Sequence, residues 1–233
     1  MSEKIFHKCC SDLDEVKEFF SSIKDECNAS TFPLIFIDGH GDKLHGLVLP
    51  SGEYLDWNSL NSHLAEITLK AGGQSTVIAS FCFSMTAVAR PSYEQPLPSP
   101  FYYGYSDEIA AGVIRQDCSK LIEELLRCGI FDQAGKSIKL YSEYDHVTFL
   151  FAPLVAKFTH YQDFSEFHPY LSKNKLRTLL YAEIGAKFGT TKGLNEVLKK
   201  ALDPKVLLAP ILEKVMHNTE RRSRLIDELI SQI

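Results

Sequence analysis

Apolar positions along the chain fall into two patterns. Short runs rich in β-branched and aromatic residues read as strands, and recurrences every three or four residues read as helices. Residues 32–37 and 76–81 are the strongest runs of the first kind. Both are apolar at nearly every position, which suits strands buried on both faces of a parallel sheet. Residues 101–105 read as a third parallel strand, and 4–9, 44–49 and 138–141 as shorter candidates. Pro50-Ser51-Gly52 is turn chemistry, across which Tyr54-Leu55 can pair back.

Helical spacing begins at Val16, Phe19, Phe20 and Ile23, with Ser11 or Asp12 able to cap the first turn. It resumes at Leu60, Leu64 and Ile67, behind Asp56 or Asn58 as cap, and Gly72-Gly73 stops it. Residues 108–128 carry Ile114, Leu121, Ile122 and Leu125 on one face. Residues 174–188 and 194–202 read as helical, as do residues 219–233, where Leu225, Ile226, Leu229, Ile230 and Ile233 share a face. The apolar stretch 147–158 is interrupted by Pro153 and leaves helix and strand open. Residues 92–100 with the preceding Pro91 hold four of the ten prolines and must form a long loop.

Strand and helix in alternation predict an α/β fold with a mostly parallel central sheet flanked by helices. Residues 1–139 form the expected α/β region. Residues 140–233 form a mainly helical C-terminal extension, completing that domain or appended to it. A length of 233 residues suits one domain, or one with a small appendage.

Charge narrows the partners. A formal net charge of −5 leaves no basic field to collect phosphates, so nucleic acid is not expected. Arg221, Arg222 and Arg224 read as a solvated helix face. No apolar run is long enough for a membrane span. The acidic opening residues lack the basic and apolar regions of a signal peptide, so a cytoplasmic location is expected. There the six cysteines should be thiols. No CxxC or zinc-finger spacing occurs.

Two of the buried-strand runs end in reactive residues. FPLIFIDGHG delivers His40 and Gly41, and TVIASFCFS delivers Cys82. Ligands of open parallel sheets bind at the carboxyl ends of the strands, where backbone opens into loops. Adjacent parallel strands would bring His40 and Cys82 to one rim. An imidazole beside a thiol takes its proton or stabilises the thiolate, which makes a nucleophile. The oxyanion formed on an attacked carbonyl needs preorganised backbone N–H donors. Gly41, with no side chain to block approach, and Cys82 itself are the candidates. Taken singly, a buried cysteine is more often an inert small hydrophobe, and a lone histidine a satisfied structural residue. Their position at successive strand ends favours chemistry.

The order His-Gly after one apolar strand, a helix, then a cysteine closing the next apolar strand resembles the caspase-like cysteine peptidases. The segments IDGHGDKLHGLVLPSGEYLDWNSL and FYYGYSDEIAAGVIRQDCSKLIEELL are similar to the bacterial caspase-like and CHAT-type members of clan CD. The resemblance covers roughly residues 30–128. It implies a three-layer caspase-like fold and cleavage of a protein or peptide substrate through an acyl-enzyme, with no cofactor and no metal. His40 would be the general base, Cys82 the nucleophile and Gly41 an oxyanion donor. Many relatives carry an acid two residues before the nucleophile for a basic P1 side chain, whereas this chain has Ser80. Asp38, Glu94, Asp107 and Glu108 are the acidic alternatives for substrate binding, and Arg90 would suit an acidic P1. The resemblance also leaves room for a regulated role in bacterial immunity or cell-death signalling. An activating small-molecule signal or partner protein, and a homo-oligomer, would fit that role. The proline-rich loop after Cys82 would then line the substrate groove.

Two rivals differ in class. A caspase-like fold that has lost catalysis would serve as a binding or signal-sensing module. Asp38, His40, Asp42 and His45 crowd one turn and would suit zinc or manganese in a metallohydrolase.

Overall fold

The computed structural model describes residues 4–89, 96–128, 137–148, 196 and 203–231. It divides into two units, at 146/147. The first helix, α1 (Leu13–Glu26), starts because the Asp12 carboxylate accepts the Glu15 N–H at 2.9 Å. Val16 and Phe20 face inward one turn apart. Among the described residues four strands form the main sheet: β1 (Leu34–Asp38), β5 (Thr76–Ser80), β6 (Phe101–Gly104) and β7 (Lys139–Ser142), in the order β1-β5-β6-β7. The first three are parallel, and β7 runs antiparallel to β6. A second, antiparallel sheet joins β2 (His40–Asp42), β3 (Gly46–Val48) and β4 (Tyr54–Leu55).

Helices cover both faces of the main sheet. On one side Val77 and Ala79 of β5 and Ile35 of β1 share a core with α1 and with α2 (Trp57–Lys70), which contributes Leu60, Leu64 and Ile67. On the other side Ile78 of β5 and Tyr103 of β6 pack with Ile114, Cys118 and Leu121 of α3 (Ala111–Cys128). Strand alternation therefore splits β5 between two cores, the signature of a three-layer arrangement. The α2 cap is Asp56, which accepts from Asn58 and Ser59 at 3.0 Å each. Its end is turned by Gly72 and Gly73, both at positive φ.

Several elements differ from expectation. Residues 4–9 form no strand, and Ile5 and Phe6 are exposed; with no sheet edge taking up its N–H and C=O groups, the short run has no ladder to join. The strand expected at 44–49 is split, because Leu44 sits in the turn between β2 and β3, and only 46–48 form β3. The expectation that 32–37 is buried on both faces fails. Phe32, Leu34 and Phe36 are 61%, 51% and 48% exposed. The reason is position: β1 is the edge of the described sheet, and α3 covers the strands farther in. Residues 139–142 belong to the sheet rather than to the C-terminal extension, so the expected boundary at 139/140 falls within β7.

In the second unit, α4 (Pro204–Val215) and α5 (Thr219–Ser231) are in contact. Asp203 caps the first, and Asn218 accepts the Arg221 N–H at 3.0 Å at the start of the second. Leu225, Ile226 and Leu229 are buried as their spacing predicts, while Ile233 lies outside the described residues. The expected helix at 174–188, all of that at 194–202 except residue 196, and most of 147–158 also lie outside them. Among the described residues no helix is long and apolar enough to cross a membrane.

Candidate active site

Cys82 stands two residues beyond the end of β5, in a sharply turned connection. The preceding Phe81 is fully buried and stacks on Trp57, ring centroids 6.1 Å apart. The following Phe83 has φ 59°, the only described non-glycine residue at positive φ. A left-handed bulky residue is costly, and such strain gathers at functional sites. The turn then enters a short 3₁₀ segment, Ser84–Val88.

Ser84 locks this turn to the strands. It is fully buried, and its hydroxyl donates to the Ala79 carbonyl at 3.1 Å and accepts the Tyr105 N–H at 2.9 Å. Its carbonyl accepts the Tyr102 hydroxyl at 3.0 Å. Gly104 allows this approach, since a Cβ there would lie 2.6 Å from Ser84 Oγ. Burial pushes the Tyr102 phenol well above its ordinary range, so it remains a neutral donor.

His40 opens β2 after the bend at Gly39, which turns the chain out of β1. Its side chain is exposed. Asp38 of β1 is in register with Ser80 of β5, so His40 and Cys82 each stand two residues past one paired position. Contact between the segments is direct. A Cβ on Gly41 would lie 1.9 Å from the Cys82 carbonyl oxygen and 3.0 Å from the Phe81 ring. The backbone of the His-Gly pair therefore rests on the backbone of Cys82, an approach open only to glycine.

The Cys82 sulfur is half-buried against the core beneath α3. It accepts the Ile109 N–H at 3.4 Å, and its S–H faces the Ile109 carbonyl at 3.5 Å. Among the described residues no hydrogen bond joins Cys82 to His40.

The acidic candidates separate. Asp38 is exposed at the end of β1, and Asp107 and Glu108 are exposed in the loop after β6. The Asp107 carbonyl accepts the Phe83 N–H at 3.4 Å, which holds that loop beside the Cys82 turn. Ser80 is buried beneath the rim. Glu94 and Arg90 lie outside the described residues, as does the proline-rich loop up to residue 95.

The cluster at the hairpin has another use. Asp42 accepts the Leu44 and His45 N–H groups at 2.9 Å each, and His45 Nδ1 at 2.8 Å. These bonds, the His45 backbone N–H foremost, hold the Asp42 carboxyl below its ordinary range. Asp42 thus caps the β2–β3 turn. Among the described residues no three His, Cys, Asp or Glu side chains form a group able to hold a metal ion. Asp38, His40, Asp42 and His45 do not converge on one point.

Sequence reasoning missed Ser84 and Ile109. A buried serine two residues after a candidate nucleophile carries no pattern of its own. The role of Ile109 lies in its main chain, which every residue except proline shares. No family model, curated protein or solved structure matches this chain.

Proposed function

We propose that this chain is a caspase-like cysteine endopeptidase. Cys82 attacks the scissile carbonyl of a protein or peptide, His40 takes the thiol proton and returns it to the leaving amine, and water resolves the acyl-enzyme. The observation that carries the reading is the 1.9 Å approach of a Gly41 Cβ position to the Cys82 carbonyl. It supports a shared pocket in which the N–H groups of Gly41 and Cys82 receive the oxyanion. Asp38 at the end of β1, and Asp107 and Glu108 in the loop after β6, are the exposed acids that would meet a substrate side chain.

The test is hydrolysis of a peptide library by the whole chain. Cys82→Ala should abolish turnover, and His40→Ala should lower it by at least about a hundredfold. Turnover that survives Cys82→Ala would refute the assignment.

A second reading has its own support. The Cys82 sulfur is engaged by Ile109 and not by His40. A binding module on the same fold would show this, and so would a protease awaiting an activator. Both give a Cys82 thiol labelled by a mild electrophile no faster than Cys9, which is exposed; repeating the labelling in lysate that contains the activating signal separates them, since only the protease then gains a fast Cys82.

A further inference from the structure

We infer that Ile109 is a positioning residue for Cys82, acting through its main-chain N–H. The inference rests on the reading of Cys82 as a nucleophile and deepens it.

The Ile109 peptide group lies alongside the Cys82 side chain, its N–H 3.4 Å and its carbonyl 3.5 Å from the sulfur. The two contacts respond oppositely to ionisation. As a thiol, Cys82 donates its S–H to the Ile109 carbonyl. When the proton leaves, to His40 or to solvent, that bond is lost. The N–H bond remains and becomes charge-assisted, about twice as strong as a neutral one.

The surroundings fix this donor in place. Ile109 stands just before Ala110, whose carbonyl accepts the Val113 and Ile114 N–H groups at 2.9 and 3.2 Å as α3 begins. Upstream, Tyr105 is tied to Ser84, and Asp107 to Phe83. The Ile109 side chain packs on the same core as Cys82. The loop from β6 into α3 is thus anchored at both ends, and the left-handed turn at Phe83 carries the chain away just after Cys82. The titratable groups on the neighbouring elements are Asp38 at the end of β1, His40 at the start of β2, Asp107 and Glu108 in this loop, and Asp117 and Cys118 on α3.

The test compares Ile109→Pro, which removes the N–H, with Ile109→Ala, which keeps it, in the full chain. The readout is the labelling rate of Cys82 by iodoacetamide from pH 5.5 to 9, resolved by peptide mass spectrometry. Ile109→Pro should slow labelling about tenfold at pH 6, with the deficit closing by pH 9. Ile109→Ala should follow wild type. A merely structural role would slow labelling equally at every pH. A Pro variant that labels like wild type at pH 6 overturns the inference.

His40→Ala in the same series keeps the two proposals apart. Slow labelling with His40→Ala alone supports the dyad and refutes the role of Ile109. Slow labelling with Ile109→Pro alone does the reverse. If the proline variant does not fold, the Ile109 amide resonance of ¹⁵N-labelled wild type takes its place. It should move with pH in step with Cys82 labelling, and that movement should vanish in Cys82→Ala. A resonance unmoved by the titration refutes the inference.

Discussion

Gly41 is where one atom decides most. Its Cβ position is 1.9 Å from the Cys82 carbonyl oxygen, a backbone atom that cannot swing aside. Gly41→Ala must part the two segments. We expect a loss of about 1–3 kcal/mol of stability, read by urea denaturation. Under the proposed function peptide turnover should fall with it, since the Gly41 and Cys82 N–H groups would move apart. His40 and Cys82 were legible as the candidates of the proposed site because each closes a strand run. Glycine beside histidine was legible for the same reason. That Gly41 touches Cys82 itself was not, because the contact spans two segments joined only through the sheet register.

At the scale of elements, Ser84 joins the turn after β5 to the end of β6. Ser84→Ala leaves the buried Tyr105 N–H without its acceptor. The expected cost is about 1–3 kcal/mol, measured by thermal or urea unfolding. A loss well under 0.5 kcal/mol would show that the amide finds another partner. The opposite end of the sheet has its own buried hydroxyl set. Thr68 Oγ1 and Ser75 Oγ lie 2.6 Å apart, the Ser75 hydroxyl donates to Ser99 Oγ at 2.9 Å, and Thr68 donates to the Pro98 carbonyl at 2.6 Å. It ties α2 to the segments entering β5 and β6. Caps at Asp12 and Asp56 were readable locally, since a carboxylate before an apolar helical spacing has one obvious use. Hydroxyl clusters of this kind join residues far apart in the chain and leave no periodic trace.

At the scale of the first unit, pH acts through His146. It is 4% exposed, its Nδ1 is hydrogen-bonded to the Tyr141 hydroxyl at 2.8 Å, and its Nε2 is buried with no partner among the described residues. Burial pushes its pKa down to about 4 from 6.5. The folded state therefore disfavours the charged imidazole, and the unfolded state binds the proton first. Stability from this group is full above about pH 6.5, declines as pH falls from there to about 4, and levels off below. The shift corresponds to roughly 3 kcal/mol across that window. His146→Phe should flatten that part of the stability–pH curve, as followed by urea unfolding at pH 4, 5, 6 and 7. An unchanged slope would mean that other groups carry it.

The sequence by itself determined the α/β alternation, most helix starts and stops, the order of strands β1, β5 and β6 along the chain, and the place of His40 and Cys82 just past the ends of β1 and β5. These follow from local rules: spacing of apolar residues, capping side chains and glycine turns. Tertiary structure decided that β1 is an edge of the described sheet with Phe32, Leu34 and Phe36 exposed, that residues 139–142 return antiparallel to the sheet, and that Asp42 caps a hairpin. It also decided that the Cys82 sulfur meets the main chain of Ile109. Strand neighbours and main-chain donors depend on which distant segments pack together. The peptide group is the same at almost every position, so no residue type announces where its N–H will point.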